Sequence, residues 1–191
     1  ASGTMKAIMS SAPDPQAYLV RRADWASDRE ALRLVRLSVF VQEQAVPEEL
    51  EWDGEDNGAL HILALDGSGR PIGTARLMPT GQIGRMAVLQ NWRGRGVGSA
   101  LLRELLAMAF DGSYPDPFLN AQISALPFYL HAGFVPIGDE FEEAGIRHRR
   151  MVFFRAKQMP TNDLSTRVLS KTRGSVTLPD QASLRAASVH M

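Results

Sequence analysis

Arg93-Gly94-Arg95-Gly96-Val97-Gly98-Ser99, followed without a break by Ala100-Leu101-Leu102-Arg103-Glu104-Leu105-Leu106, is the stretch on which the fold of this chain turns. A glycine-rich turn opens straight into a helical pattern. Glycine lets the backbone approach a ligand closely, and the first N–H groups of a helix have no intrahelical acceptor. The macrodipole adds roughly half a positive charge at that end. An anion site is therefore expected at the junction. Two phosphate loops are excluded by residue type. A Walker A loop ends in Gly-Lys-Ser/Thr, and no Lys follows a glycine in this chain. A dinucleotide fingerprint GxGxxG fits Gly94 and Gly96 but meets Ser99 where the last glycine belongs. Asp116, the nearest acidic residue downstream, sits in a proline-rich loop. What fits is Arg/Gln-x-x-Gly-x-Gly/Ala, as Arg93-x-x-Gly96-x-Gly98.

Working outward, residues 82–89 before the loop read as a strand and Phe118 to Ile123 after the helix as another. Tyr18 to Arg22 alternates as a first strand. Ser27-Asp28-Arg29-Glu30 reads as a capping box, so a helix is expected from about Asp28. Its apolar positions Ala31, Leu34, Val35, Val39 and Phe40 recur at helical spacing, and Pro47 stops it. Residues 48–58 form an acidic loop or short helix. Leu60 to Leu65 and Ile72 to Met78 are strands joined by a turn at 66–70. Val135 to Ile137 and Met151 to Arg155 are expected as the last strands, with an acidic turn between them. Helices on both faces of such strands predict an α+β three-layer α/β/α sandwich around a central mixed, mostly antiparallel sheet.

At 191 residues a single domain with a real core is expected. Residues 1–16 read as a flexible N-terminal segment and 17–156 as the domain. Residues 157–191, rich in Ser, Thr, Arg and Ala, read as a flexible or partner-docking extension, with a helix allowed from Pro179 onward. A formal charge of zero does not point to nucleic acid or an anionic membrane. The sequence contains no cysteine, which removes disulfides, thiolate metal sites and a Cys nucleophile together, and fits a cytoplasmic protein. No apolar run approaches the ~20 residues of a membrane span.

The strand before the loop, the loop, its helix and the next strand are followed by Ala125-Leu126-Pro127-Phe128-Tyr129-Leu130-His131-Ala132-Gly133-Phe134. This ordered set resembles the GNAT superfamily of acyl-CoA-dependent N-acyltransferases over about residues 18–156. Val39-Phe40-Val41-Gln42-Glu43-Gln44, Glu51-Trp52-Asp53 and His61 are most similar to the ElaA-type branch. The resemblance implies two strands that splay to admit the pantetheine arm. It implies an acetyl-CoA co-substrate whose diphosphate meets Arg93, Gly94, Arg95, Gly96, Val97, Gly98 and Ser99. Main-chain groups of Met86, Ala87 and Val88 would pair with the pantetheine, and a backbone N–H after a bulge there would face the thioester oxygen. Tyr129 would act as general acid toward the departing thiolate, with Asn120 near the cofactor arm.

The base stays open between His61, Glu43, Glu51, Asp53 and a water chain; His61 has the ordinary pKa for the task. His148, beside Arg147, Arg149 and Arg150, reads as surface. Glu48, Glu49, Glu51, Asp53, Glu55 and Asp56 place six carboxylates in nine positions with no basic residue among them. Such a cluster would attract a cationic amine, so Glu43, Glu51 and Asp53 are candidates for binding the acceptor, a small molecule or a peptide amine. The cluster lacks EF-hand spacing, and no metal is expected. The implied reaction is direct N-acetyl transfer in a ternary complex. The alternatives are a longer acyl donor, or an acyl-CoA-binding regulatory module without turnover. The apolar run Val152-Phe153-Phe154 is compatible with a homodimer.

Overall fold

The computed structural model describes residues 17–112 and 114–154. Residues 1–16 and 155–191, with the expected N-terminal segment, the C-terminal extension and its helix, lie outside the described residues. A seven-stranded sheet runs in the order β1-β2-β3-β4-β5-β7-β6. Its strands are β1 Tyr18–Ala23, β2 Leu60–Asp66, β3 Pro71–Leu77, β4 Gln82–Val88, β5 Phe118–Gln122, β6 Val135–Glu143 and β7 Ile146–Val152. Every pairing is antiparallel except β4 with β5. The expected mixed, mostly antiparallel sheet is thus observed.

The two long helices cover opposite faces. On β2, Leu63 turns toward Leu32 of α1 (Trp25–Arg36), while Ile62 and Ala64 join the core under α3 (Val97–Asp111). Alternate strand residues point to opposite faces, so β2 is apolar on both sides and fully covered. The loop helix supplies Val97, Leu101, Leu102, Leu105 and Ala109 to that core. A short α2 (Glu48–Glu51) and α4 (Leu126–His131) complete the fold.

α1 begins three residues earlier than the capping box suggested. Asp24 is the N-cap, its side chain accepting from the Ser27 N–H, and the Asp28 carboxylate accepts from the Asp24 N–H. The expected Ser27–Glu30 box does not cap the helix; Asp24 and Asp28 do so instead, with Arg21 clamped on Asp28. After Arg36 the helix widens into a π-helical segment, Leu37–Glu43, ending where the Gln44 N–H reaches the Val39 carbonyl. Such widenings are rare and frequently mark functional sites.

The end of the sheet differs from the sequence expectation. The presumed acidic turn is most of a hairpin, reversing at Ala144 and Gly145 with φ of 51° and 74°. Two successive positive φ values are those of a type I′ turn. Cross-strand charge pairing holds the strands: Glu140 faces Arg149, Glu142 faces Arg147, and Arg147 bridges to Glu140. β6 is exposed along nearly its whole length, so no apolar alternation announced it. β7 lies between β5 and β6, which leaves β6 as the edge strand. Phe153 from the expected dimer run packs against Phe110 and Phe134.

Candidate active site

β4 and β5 pair through only two register positions, Gln82 with Phe118 and Ile83 with Leu119. β5 pairs with β7 along its whole length on its other edge, and the second edge of β4 from Gly84 to Val88 has no strand partner among the described residues. In the same span β4 carries a bulge: Thr74 faces Ala87 but Arg76 faces Gly84, so Arg85 and Met86 together oppose Ala75. Arg85 adopts φ 49°, an uncommon conformation for a side-chain-bearing residue. A cleft of about 360 Å³ opens between the parted strands. Its walls include Gly84 to Val88 of β4, Phe40 and Gln44 of the π-helical segment, Gln122, Tyr129, and the β6–β7 hairpin.

The glycine loop stands at one end. Gly94 and Gly96 have φ of 71° and 83°, and Gly96 is the N-cap of α3 with no capping side chain. The N–H groups of Val97, Gly98 and Ser99 are left to the solvent side of a fifteen-residue helix. A Cβ on Gly98 would touch the Phe128 ring and Met86 Cε, so the loop, β4 and α4 converge there. Arg95 lies over the Trp92 ring. Arg93 is a brace: its Nε donates to the Val88 carbonyl and its two terminal nitrogens grip Glu43. Its charge is spent inside the protein, on Glu43 and the Val88 carbonyl.

Tyr129 is buried at 7% exposure, with its hydroxyl 3.6 Å from Met86 Sδ. Burial pushes its phenol well above the usual value, so it stays protonated. Phe128 and Phe134 meet the ring edge-on and fix its plane.

The acidic segment is placed differently from its sequence reading. Glu51, Asp53 and Asp56 interlock with Arg36, Arg76 and Arg85, arginines brought from three other elements. Arg36 and Glu51 are 1% and 3% exposed. Burial pushes the Glu51 carboxyl up, against the pull of Arg36 and Arg85. Arg76 hydrogen bonds hold Asp53 well below the carboxylate range. Burial works against ionisation of Asp56 too, but Arg36 and Arg76 outweigh it and hold the carboxyl low. Three positive charges answer three negative ones, so this part of the cluster offers no net charge to a cationic acceptor. What it does is clamp Arg85, and with it the bulge, onto the 50–53 segment.

Glu43 sits outside the cleft wall, on Arg93. His61 is also outside it: the ring is 1% exposed, stacked on Trp25, and Nε2 donates to the Asp56 carbonyl. Asn120 turns its side chain to the last hairpin, donating to Glu143 and accepting from Arg150. Gln122 lines the cleft in its stead and donates to Gln44 across the gap. The residue passed over was His148. Read as surface, it is 9% exposed and lines the cleft. Its run of neighbouring arginines hid it; only the true length of the hairpin turns it inward.

Burial lowers the affinity of His61 for a proton. An unfolded chain binds that proton near pH 6.5, so the native state loses stability as pH falls below about that value. Urea midpoints measured from neutral to mildly acid pH are expected to fall for the wild type and to fall less steeply for His61→Gln.

Residues 24–153 match the acetyltransferase (GNAT) domain family. The chain is 39% identical over 122 residues to the uncharacterized N-acetyltransferase YjcF of Bacillus subtilis, covering 62% of this chain and 86% of that protein. Among solved structures it superposes on Escherichia coli ElaA with a TM-score of 0.64 and 29% identity, covering 72% of this chain and 99% of ElaA. An acyl-CoA N-acyltransferase from Pseudomonas aeruginosa gives a TM-score of 0.65 at 27% identity, with 72% and 100% covered. The matched span runs from the N-cap of α1 to the residue after β7 and so includes every element that builds the cleft. The chain belongs to the GNAT acetyltransferase family and is an acyltransferase.

Proposed function

We propose that this chain transfers an acetyl group from acetyl-CoA to a primary amine, both bound at once, without an acyl-enzyme stage. The observation that carries the reading is the parting of β4 from β5 with the Tyr129 hydroxyl at the bulge, 3.6 Å from Met86 Sδ. The residues present fit a CoA ester. An uncapped helix N-terminus with a left-handed glycine suits a diphosphate. A strand edge from Gly84 to Val88 without a strand partner among the described residues, its Val88 carbonyl alone taken by Arg93, suits the amides of a pantetheine arm, added as a short extra strand. The thioester supplies an activated acyl carbon when bound.

On this reading the backbone from Met86 to Val88 orients the arm, and a main-chain N–H at the bulge polarises the acyl oxygen. Tyr129, kept protonated by burial, is placed to donate to the departing sulfur. With no cysteine in the sequence, the acyl group has no thiol of this chain to rest on.

The test is release of free CoA thiol from acetyl-CoA with a panel of primary amines. Intersecting initial-rate patterns and an amide product are expected. Tyr129→Phe is expected to lower kcat about a hundredfold, the lower end of general-acid effects, with the KM for acetyl-CoA nearly unchanged. Calorimetric binding of CoA without turnover of any amine would reduce the chain to a binding module.

A further inference from the structure

We propose that the β6–β7 hairpin is the acceptor-handling wall of the cleft: His148 removes the proton from the acceptor ammonium, and Glu143 draws that ammonium in. The inference rests on the acetyl-transfer reading above and names the acceptor class, a primary amine that arrives positively charged.

The titratable groups on the cleft wall are Glu51, Arg85, Arg93, Tyr129, Glu143 and His148. Glu51 is locked between Arg36 and Arg85. Arginines do not give up a proton in proteins, and the Tyr129 phenol is held protonated. His148 and Glu143 are what remain.

His148 is set up as a base by its neighbours. Its Nδ1 lies 2.8 Å from the Ile146 carbonyl oxygen. A carbonyl only accepts, so Nδ1 carries the hydrogen of the neutral ring and Nε2 carries the lone pair. Nε2 takes no hydrogen-bond partner among the described residues. Phe141 stacks on the ring at 6.0 Å and 23°, which limits its rotation. In register, His148 stands between Phe141 of β6 and Gln122 of β5, the strand that faces the gap.

Glu143 differs from the other carboxylates of this region. Its Oε2 accepts from Asn120 Nδ2 at 3.2 Å, and it has no cation partner among the described residues. Of the carboxylates that the sequence placed at 48–56, Glu51, Asp53 and Asp56 are neutralised by arginines, while the uncompensated carboxylate of the cleft wall is on the hairpin. Around His148 the charges on its own strand are Arg147, Arg149 and Arg150, the last on the same face of β7, and on β6 they are Asp139, Glu140, Glu142 and Glu143. Across the cleft stand Arg85 and Glu51, already paired with each other.

The proton count closes. The ammonium gives one proton to His148 Nε2, which passes it to solvent. The freed lone pair forms the C–N bond as the C–S bond breaks. Tyr129 gives its proton to the sulfur and recovers one from the acylated nitrogen. The products are the amide, CoA thiol and one released proton.

The experiment compares wild type, His148→Gln, His148→Ala and Glu143→Gln, with acetyl-CoA and the fastest amine of the panel. CoA affinity is measured in parallel by calorimetry. His148→Gln is expected to lower kcat about a hundredfold with CoA affinity unchanged, and to lose the acid limb of the wild-type rate profile. Added imidazole should restore part of the His148→Ala rate. Glu143→Gln is expected to raise the amine KM three- to tenfold at low salt, with kcat unchanged, an effect that salt should shrink. Glu143 is exposed, so this variant reports even if a His148 variant fails to fold. A His148→Gln enzyme with the wild-type rate and acid limb would overturn the proposal alone. A wild type that binds CoA yet acetylates no amine would overturn the transfer reading and this proposal together.

Discussion

Gly96→Glu is expected to lower the affinity for CoA by on the order of a thousandfold while the protein stays folded. Gly96 caps α3 in the left-handed region at φ 83°, and no side chain caps the helix in its place. A glutamate would put its carboxylate where the proposed reading seats the diphosphate, and juxtaposed like charges cost several kcal/mol. About 1.4 kcal/mol corresponds to each tenfold in affinity, so three such steps are within reach. The backbone penalty is separate: a left-handed residue with a Cβ costs roughly 1–2 kcal/mol, and the Cβ would come 3.3 Å from the Tyr18 hydroxyl. Gly96→Ala carries that strain and contact without the charge, and should keep CoA affinity within about tenfold. Calorimetric titration of wild type and both variants makes the comparison. Equal CoA binding by the Glu and Ala variants would show that the diphosphate sits elsewhere.

Arg36→Ala is expected to destabilise the fold by about 3–5 kcal/mol, the range for breaking a buried ion pair from one side. Arg36 is 1% exposed and holds Glu51, Asp56 and the Glu51 carbonyl at once, with its guanidinium against Trp25 and Trp52. Without it, the buried Glu51 keeps only Arg85 of its two ion-pair partners. The effect should reach the cleft although Arg36 does not line it. Arg85, at the bulge, is anchored on the same segment through Leu50, Glu51 and Asp53, so slack there should weaken CoA binding as well as stability. Urea unfolding gives the first number and calorimetry the second. A loss under about 1 kcal/mol would mean that the network behaves like a surface pair, screened by water.

The loop and its helix were readable because their signals are local. Glycine spacing, a helix pattern and the absence of Lys are properties of a dozen consecutive residues, and they select one phosphate-loop class without reference to the rest of the chain. The same holds for the β2–β3 turn and for the short helix bearing Tyr129. The N-cap of α1 was misplaced at the Ser27–Glu30 pattern; Asp24 caps the helix, and the tertiary clamp of Arg21 on Asp28 favours this earlier start. The β6–β7 hairpin was shortened because its strands are held by cross-strand charge pairs, which have no periodicity along one strand.

The charged residues mark the line between what the sequence determined and what the tertiary structure decided. Chain order alone set the fold class, the glycine turn that opens α3 and the family resemblance, since each depends on spacing along the backbone. Whether a carboxylate is available to a ligand depends instead on which arginine arrives beside it from far along the chain. Glu51 meets Arg36 and Arg85, Asp53 meets Arg76, and Glu43 meets Arg93, fifty residues away. His61 and His148 exchange their expected places for the same reason. Register and packing on the sheet enclose the first and turn the second to the cleft. Coulomb interactions and burial act through space, so only the folded chain decides which charges remain for chemistry.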